Sequence, residues 1–247
     1  MPDLSTFFAK GQAGLIPVLL FFLIPVIPLS AEDNKTSEEK IPPAEKEYMG
    51  RPIAQTMHWL AADWLTRTER EREEASSVML TALKLKPGMV VCDLGCGIGY
   101  HALPMAKEVA PDGKILAVDI QPEMLRMLNS RAKHAGLTNI ETIKGSLTNP
   151  NLPDEAVDLI LIVDAYHEFS HPVEMLKAIH KSLKPDGRVV LVEFRAEDRT
   201  VPIKPEHKMA KKQVIKELEA NQFKLDESFD KLPWQHMLFF KKAAPKK

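Results

Sequence analysis

From Met89 onward, short runs rich in valine, isoleucine and leucine alternate with longer stretches in which apolar residues return every three or four positions. The short runs predict strands at residues 89–93, 114–119, 140–144, 157–163, 188–194, 223–229 and 237–241. The longer stretches predict helices at 101–109, 122–135 and 172–183, with a last helix in "MAKKQVIKELEANQF" capped by a left-handed Asn221. Strands that alternate with helices form βαβ units, so the expected class is α/β: a mostly parallel sheet with helices on both faces. The last two strands are joined by a short segment around Pro233, which only antiparallel neighbours allow.

Before Met89 the pattern is helical. Ile53, Met57, Leu60 and Ala61, with Trp64 just beyond, lie on one face of a helix over 51–63. A second helix is expected to reach Leu83 from paired capping boxes, Thr66 with Glu69 and Thr68 with Glu71. Its Arg/Glu run, including Arg67 and Arg70, reads as a solvated face.

The first residues differ in composition. Lys10 precedes an apolar run from Leu15 to Leu29 that contains three prolines, and the chain turns acidic at Glu32. The run is short for a spanning helix and poor at keeping its backbone bonded, so residues 1–31 are expected to be a signal peptide or a membrane tether through 14–29. Export, to a periplasmic or extracellular location, is the corresponding expectation. Residues 32–50, charged and proline-containing, read as a flexible linker. The expected organisation continues with N-terminal helices over 51–84, packed on a single domain over 85–247. Net charge of −1 over 247 residues gives no electrostatic reason to bind nucleic acid. The two cysteines, Cys92 and Cys96, form neither a disulfide framework nor a zinc site, since a structural zinc needs four ligands.

The chemistry concentrates in "VVCDLGCGIG", where Asp93 ends the first strand and Gly95, Gly97 and Gly99 make the turn into a helix. Glycines let the backbone approach a ligand, and the helix start offers free N–H groups. Asp119 ends the second strand, where a carboxylate can accept both hydroxyls of a ribose. The order of strand, glycines, helix, strand and acid describes an adenosine-type ligand. A dinucleotide turn spaces its glycines G-x-G-x-x-G, whereas this chain reads G-x-G-x-G with an acid two positions earlier. An acid repels phosphate but suits an ammonium, held directly or through water.

On these residues, together with "ILAVDIQPEML", "LPDEAVDLILIVDAYHEF" and "LKPDGRVVLVEF", the chain resembles the class I S-adenosylmethionine-dependent methyltransferases over roughly residues 85–241. The resemblance implies a Rossmann-like seven-stranded sheet with a reversed last strand, S-adenosylmethionine as cofactor and methyl transfer as the reaction. It further implies that Asp93, Gly95, Gly97 and Gly99 hold the methionine part, Asp119 and Ile120 the ribose and adenine, and Asp164 the border with the acceptor pocket. One departure is "KGSLTNP", where many relatives carry an acid for the adenine amino group; here Ser146 accepts that bond or Leu147 contributes backbone.

"YHEFSHPVE" has the H-E-x-x-H order of zinc proteases in His167, Glu168 and His171. Pro172 starts a helix only after the motif, so the histidines straddle a loop and no metal site is expected. Beyond the fourth strand, His167 is a candidate base toward an acceptor, with Tyr166 and Glu168 as pocket residues. After the fifth strand, "RAEDRTVPIKPEHKM" reads as a solvated loop, the alternative being that Arg195, Lys204 and His207 close over an acidic acceptor. The expected partner is thus a small-molecule methyl acceptor, with the membrane engaged only through an uncleaved amino terminus. Two rival readings remain: a noncatalytic S-adenosylmethionine or S-adenosylhomocysteine binding protein, and a nicotinamide-dependent oxidoreductase.

Overall fold

The computed structural model describes residues 41–244. The leader and most of the linker expected from the sequence lie outside the described residues. No helix among the described residues is long and apolar enough to cross a membrane.

Seven strands form one sheet: β1 (Val90–Leu94), β2 (Lys114–Asp119), β3 (Ile140–Lys144), β4 (Val157–Val163), β5 (Leu183–Phe194), β6 (Phe223–Phe229) and β7 (Gln235–Lys242). Their spatial order is β3-β2-β1-β4-β5-β7-β6, with the first five mutually parallel and β7 antiparallel to both neighbours. The order reverses between β1 and β4, which opens a crevice beyond their carboxyl ends.

Continuous apolar strands are required because both faces are covered. Along β4, Leu159 and Leu161 enter one cluster while Ile160 and Ile162 enter the other. The first cluster is closed by α2 (Ser76–Ala82), α3 (Ala102–Val109) and α4 (Pro122–His134), through residues such as Met79, Met105 and Leu128. The second is closed by α5 (Pro172–Ser182) and α6 (Lys211–Ala220), through Leu176, Ile179 and Leu218. Proline opens α4 and α5, with an acid in the first turn and basic residues in the last, as missing N–H groups and the helix dipole favour. Asp158 joins strand edges by accepting the Val90 N–H at 2.8 Å and the Lys184 ammonium.

The amino-terminal part departs from the helical reading. Glu47–Tyr48 and Arg51–Pro52 pair as a small hairpin, the chain then extends, and Trp59–Thr66 is a 3-10 helix. Residues expected in the linker are therefore docked: Glu45 N–H donates to the Ser170 carbonyl, and the Met49 carbonyl accepts from Gln213 and Lys216. The reason is Arg51, whose guanidinium turns inward to Glu217 on α6 at 2.9 and 3.0 Å. The predicted helix over 66–83 breaks into α1 (Arg70–Glu74) and α2 at a left-handed Ala75. Neither capping box forms; Glu71 instead accepts the Ser77 N–H at 3.1 Å, across the break. Asn221 is not left-handed either. Gln222 takes positive φ, leaving the Asn221 amide to donate to Tyr48 and to the Glu217 carbonyl. Gly187 sits inside β5, where a Cβ would come within 2.8 Å of the Val157 carbonyl.

Candidate active site

The crevice contains a cavity of about 580 Å³, the size of a small-molecule site. One half is made by the ends of β1 and β2. After β1, Gly95, Gly97 and Gly99 all take positive φ, which side-chain-bearing residues avoid. A Cβ on Gly95 would lie 2.8 Å from that of Ala165, so the glycine also allows the turn to approach the β4 loop. Asp119 clamps this turn: its Oδ2 accepts the Gly97 N–H at 2.9 Å and its Oδ1 the Gln121 N–H at 2.8 Å. Each oxygen keeps a second lone pair for a hydroxyl in the cavity. Gly95, Gly97, Asp119, Ile120, Ser146 and Asp164 line the space, whereas Asp93 and Gly99 stand behind its wall.

Two carboxylates here are under strain from burial. Burial pushes the Asp93 carboxyl up to about 7, against the pull of the Arg70 charge and with a push from Asp119. The Asp164 carboxyl is raised well above its ordinary value, first by burial and then by Glu74 and Glu193. Gln235 donates to Asp164 Oδ2 at 2.7 Å, yet Asp164 Oδ1 and Asp93 Oδ2 are buried without a partner. Buried acceptors of this kind call for a donor, and an ammonium supplies both the protons and the opposite charge.

Above the glycine turn lies a buried ionic cluster, where a solvated face was expected. Arg70 and Glu74 are 5% and 2% exposed, and Arg70 Nε meets Glu74 Oε2 at 2.7 Å. Arg70 also donates to the Leu65 carbonyl at 2.8 Å and to His101 Nε2 at 3.2 Å, and its guanidinium covers the Tyr100 ring. Burial, and then the Arg70 charge, hold His101 well below its ordinary pKa, so the neutral ring accepts. Arg67 reaches Glu73 and Glu74 and stacks on Trp64 at 3.8 Å. Trp64, Leu65, Arg67, Arg70 and Glu74 all border the cavity. The Arg/Glu spacing alone does not distinguish this cluster from surface pairs.

The other half is built by the loops after β4 and β5. His167 is 2% exposed but lines the cavity. Its Nδ1 pairs with Glu193 Oε2 at 2.7 Å and its Nε2 with His207 Nδ1 at 3.0 Å. Burial lowers the His167 pKa, but the Glu193 charge and hydrogen bond outweigh that and leave it raised. The neighbouring Glu168 accepts the Met57 N–H at 3.2 Å, and burial pushes its carboxyl up to about 7 despite the His167 charge. Phe169, Phe194, Pro202 and Ile203 supply apolar walls, and Lys204 adds a cation.

Several sequence expectations are corrected here. Tyr166 does not face the cavity; its hydroxyl donates to Glu217 at 2.8 Å and the residue is fully buried. Ser146 does line the cavity, but its hydroxyl is engaged within its own loop, accepting the Thr148 and Asn149 N–H groups. The loop after β5 forms a wall of the site through Lys204 and His207, while Arg195 turns away to the Leu232 carbonyl. His171 is also directed elsewhere, pairing with the Pro42 carbonyl at 2.8 Å and with Ser170. Glu193 escaped the sequence reading, although its place at the carboxyl end of β5 is where such sheets hold functional groups.

Comparison with known proteins bears on this geometry. Residues 85–241 match a family described as a methyltransferase domain. A crystal structure of a SAM-dependent methyltransferase from Aquifex aeolicus superposes with a TM-score of 0.71 at 25% identity, covering 75% of this chain and 98% of that one. A demethylmenaquinone methyltransferase of Listeria welshimeri is 26% identical over 45% of this chain and 47% of its own length. A 37.1 kDa protein of transposon TN4556 from Streptomyces fradiae is 31% identical over 53% of this chain and 37% of its own. The chain thus spans less than half the length of these two curated relatives.

Proposed function

We propose a function from the premise that the chain belongs to the methyltransferase-domain family and is a class I S-adenosylmethionine-dependent methyltransferase. The finer reading is that it methylates a small molecule with an apolar body and an ionisable group. One observation carries it: a single cavity has unpartnered carboxylate oxygen at one end and a carboxylate-backed histidine among apolar walls at the other. The demethylmenaquinone in the name of the Listeria relative supports an apolar body.

The residues fit the cofactor. Asp164 would take its ammonium directly and Asp93, behind the wall, through water, with Asp119 taking its ribose, Ile120 the edge of its adenine, and Gly95 and Gly97 giving backbone contact. When bound, S-adenosylmethionine supplies a methyl group on a sulfonium with a good leaving group. Alignment of the acceptor therefore provides much of the rate. Phe169, Phe194, Pro202 and Ile203 exclude water and orient the apolar body, while Lys204 favours an anionic group. His167, held by Glu193 through Nδ1, would orient the acceptor's ionisable group.

Calorimetric titration of the protein with S-adenosylmethionine, alongside Asp119→Ala, tests the cofactor side. Micromolar binding, about −8 kcal/mol, lost at least tenfold in the variant, is expected. A panel of phenols, quinols and aromatic acids then tests the acceptor. Cofactor binding without transfer to any of them would overturn the small-molecule reading in favour of a noncatalytic binding protein.

A further inference from the structure

We infer that His167, Glu168 and His207 form a binding site for a divalent transition-metal ion, open to the acceptor half of the cavity. The inference rests on the methyltransferase reading only for what the ion would do, not for whether it binds. It also replaces the expectation of no metal: the sequence pointed to His171 as the second histidine, and the fold brings in His207 instead.

Ligand atoms of the three residues all lie within 4.8 Å of one another. His167 Nε2 and His207 Nδ1 are 3.0 Å apart, and Glu168 Oε1 is 3.9 Å from His167 Nε2. Two imidazole nitrogens on one zinc-sized ion, each about 2.0–2.1 Å from it, stand about 2.9–3.4 Å apart at bond angles between square and tetrahedral. The histidine pair already has that spacing, and rotation of the Glu168 side chain brings in the third ligand.

The shell behind them is what a metal-binding histidine needs. Glu193 is 1% exposed, and its Oε2 lies 2.7 Å from His167 Nδ1. Glu193 Oε1 is itself fixed by the Tyr166 and His167 N–H groups at 3.0 and 3.3 Å. A carboxylate so placed keeps the proton on Nδ1, orients the ring and turns the Nε2 lone pair toward His207. Glu168 Oε1 accepts the Met57 N–H, and rotation of the carboxylate would pass that bond to its other oxygen.

Two imidazoles and one carboxylate suit zinc, iron(II), cobalt(II) or manganese(II), rather than calcium or magnesium, which prefer all-oxygen shells. Three protein ligands leave coordination open, and all three residues line the cavity. The open position would take the acceptor's oxygen, nitrogen or sulfur. Coordination lowers that atom's pKa so that its proton leaves to solvent. The freed lone pair then forms the bond to the methyl carbon as the carbon–sulfur bond breaks, its electrons remaining on sulfur as a neutral thioether.

The test uses the full protein, dialysed against a chelator and titrated with cobalt(II) followed by visible absorption, then with zinc as competitor. One equivalent should bind with ligand-field bands displaced by zinc. Glu193→Gln should weaken binding about 10- to 100-fold, His207→Ala should weaken it further, and His171→Ala should leave it unchanged. No uptake, or equal uptake by wild type, His207→Ala and Glu168→Gln variants with native circular dichroism, would overturn the site. Calorimetry with S-adenosylmethionine on the same samples separates the two readings: metal uptake without cofactor binding supports the site and defeats the function, and cofactor binding without metal uptake does the reverse.

Discussion

The two halves of the cavity are built by different means. The cofactor half is local and largely backbone: a turn of five residues, Gly95 to Gly99, is tied to the end of the adjacent strand through Asp119. The acceptor half is assembled from distant segments. Arg51 reaches the His167 carbonyl across 116 positions and Glu217 across 166, and His207 meets His167 across 40. Backbone geometry at one end and long-range side-chain pairs at the other mean that one half can be disturbed while the other keeps its shape.

The strongest way to break that comparison is Arg51→Ala. It leaves the Glu217 carboxylate, 0% exposed as a side chain, without its charged partner, and should cost about 3–5 kcal/mol in urea unfolding. In the variant that remains folded, S-adenosylmethionine affinity should stay within about threefold while the acceptor half loosens. Cofactor affinity falling in step with stability would show the halves to be one unit.

A smaller effect sharpens the cofactor side. Asp93, raised to about 7, is protonated below that pH and must ionise to pair with an ammonium. Affinity should therefore fall by up to about tenfold for each pH unit below about 7 and become shallower in Asp93→Asn, where Asp164 still titrates, read by calorimetry. The sign for folding is opposite. The buried carboxyl favours the protonated state, so its contribution to the stability of the unliganded protein is complete below the ordinary value of 3.8 and lost as pH rises through about 7.

Tyr166→Phe should have the smallest effect. It removes one hydrogen bond to Glu217 at 2.8 Å, costing about 1 kcal/mol in unfolding. Because the ring faces α6 and not the cavity, methyl transfer should be unchanged; a large loss of turnover would return Tyr166 to the acceptor pocket.

The same contrast explains what was legible in the sequence. Strands β2, β3, β4 and β6 span the residues that the pattern predicts; β2 and β4 are legible because a strand buried on both faces must be largely apolar, and the edge strands β3 and β6 because exposed polar positions are interspersed with buried or half-buried apolar ones. The glycine turn and Asp119 were legible because positive φ and a strand-end acid leave marks within a few residues. The amino-terminal segment left a misleading mark. Its three-to-four spacing arises from a 3-10 helix and two short helices broken at Ala75; Arg51 is drawn inward by Glu217, 166 positions away, while Arg70 and Glu74 pair locally and are buried beside His101, 31 positions from Arg70. Periodicity carries no information about such partners. The H-E pair of "YHEF" was visible, but its companion His207 comes from another loop, and a fixed-spacing motif selects His171 instead.

The strand order places β7 between β5 and β6, although it is the last of the seven in the chain. Synthesis runs from the amino end, so β5 emerges with one edge unpaired and β6 has no neighbour until residues 235–242 leave the ribosome. Gln235, the first residue of β7, also supplies the amide that holds Asp164. A nascent chain halted before that point has the glycine turn but neither a closed sheet nor an anchored Asp164. The final eight residues of the sheet thus close its open edge and support Asp164 in one step.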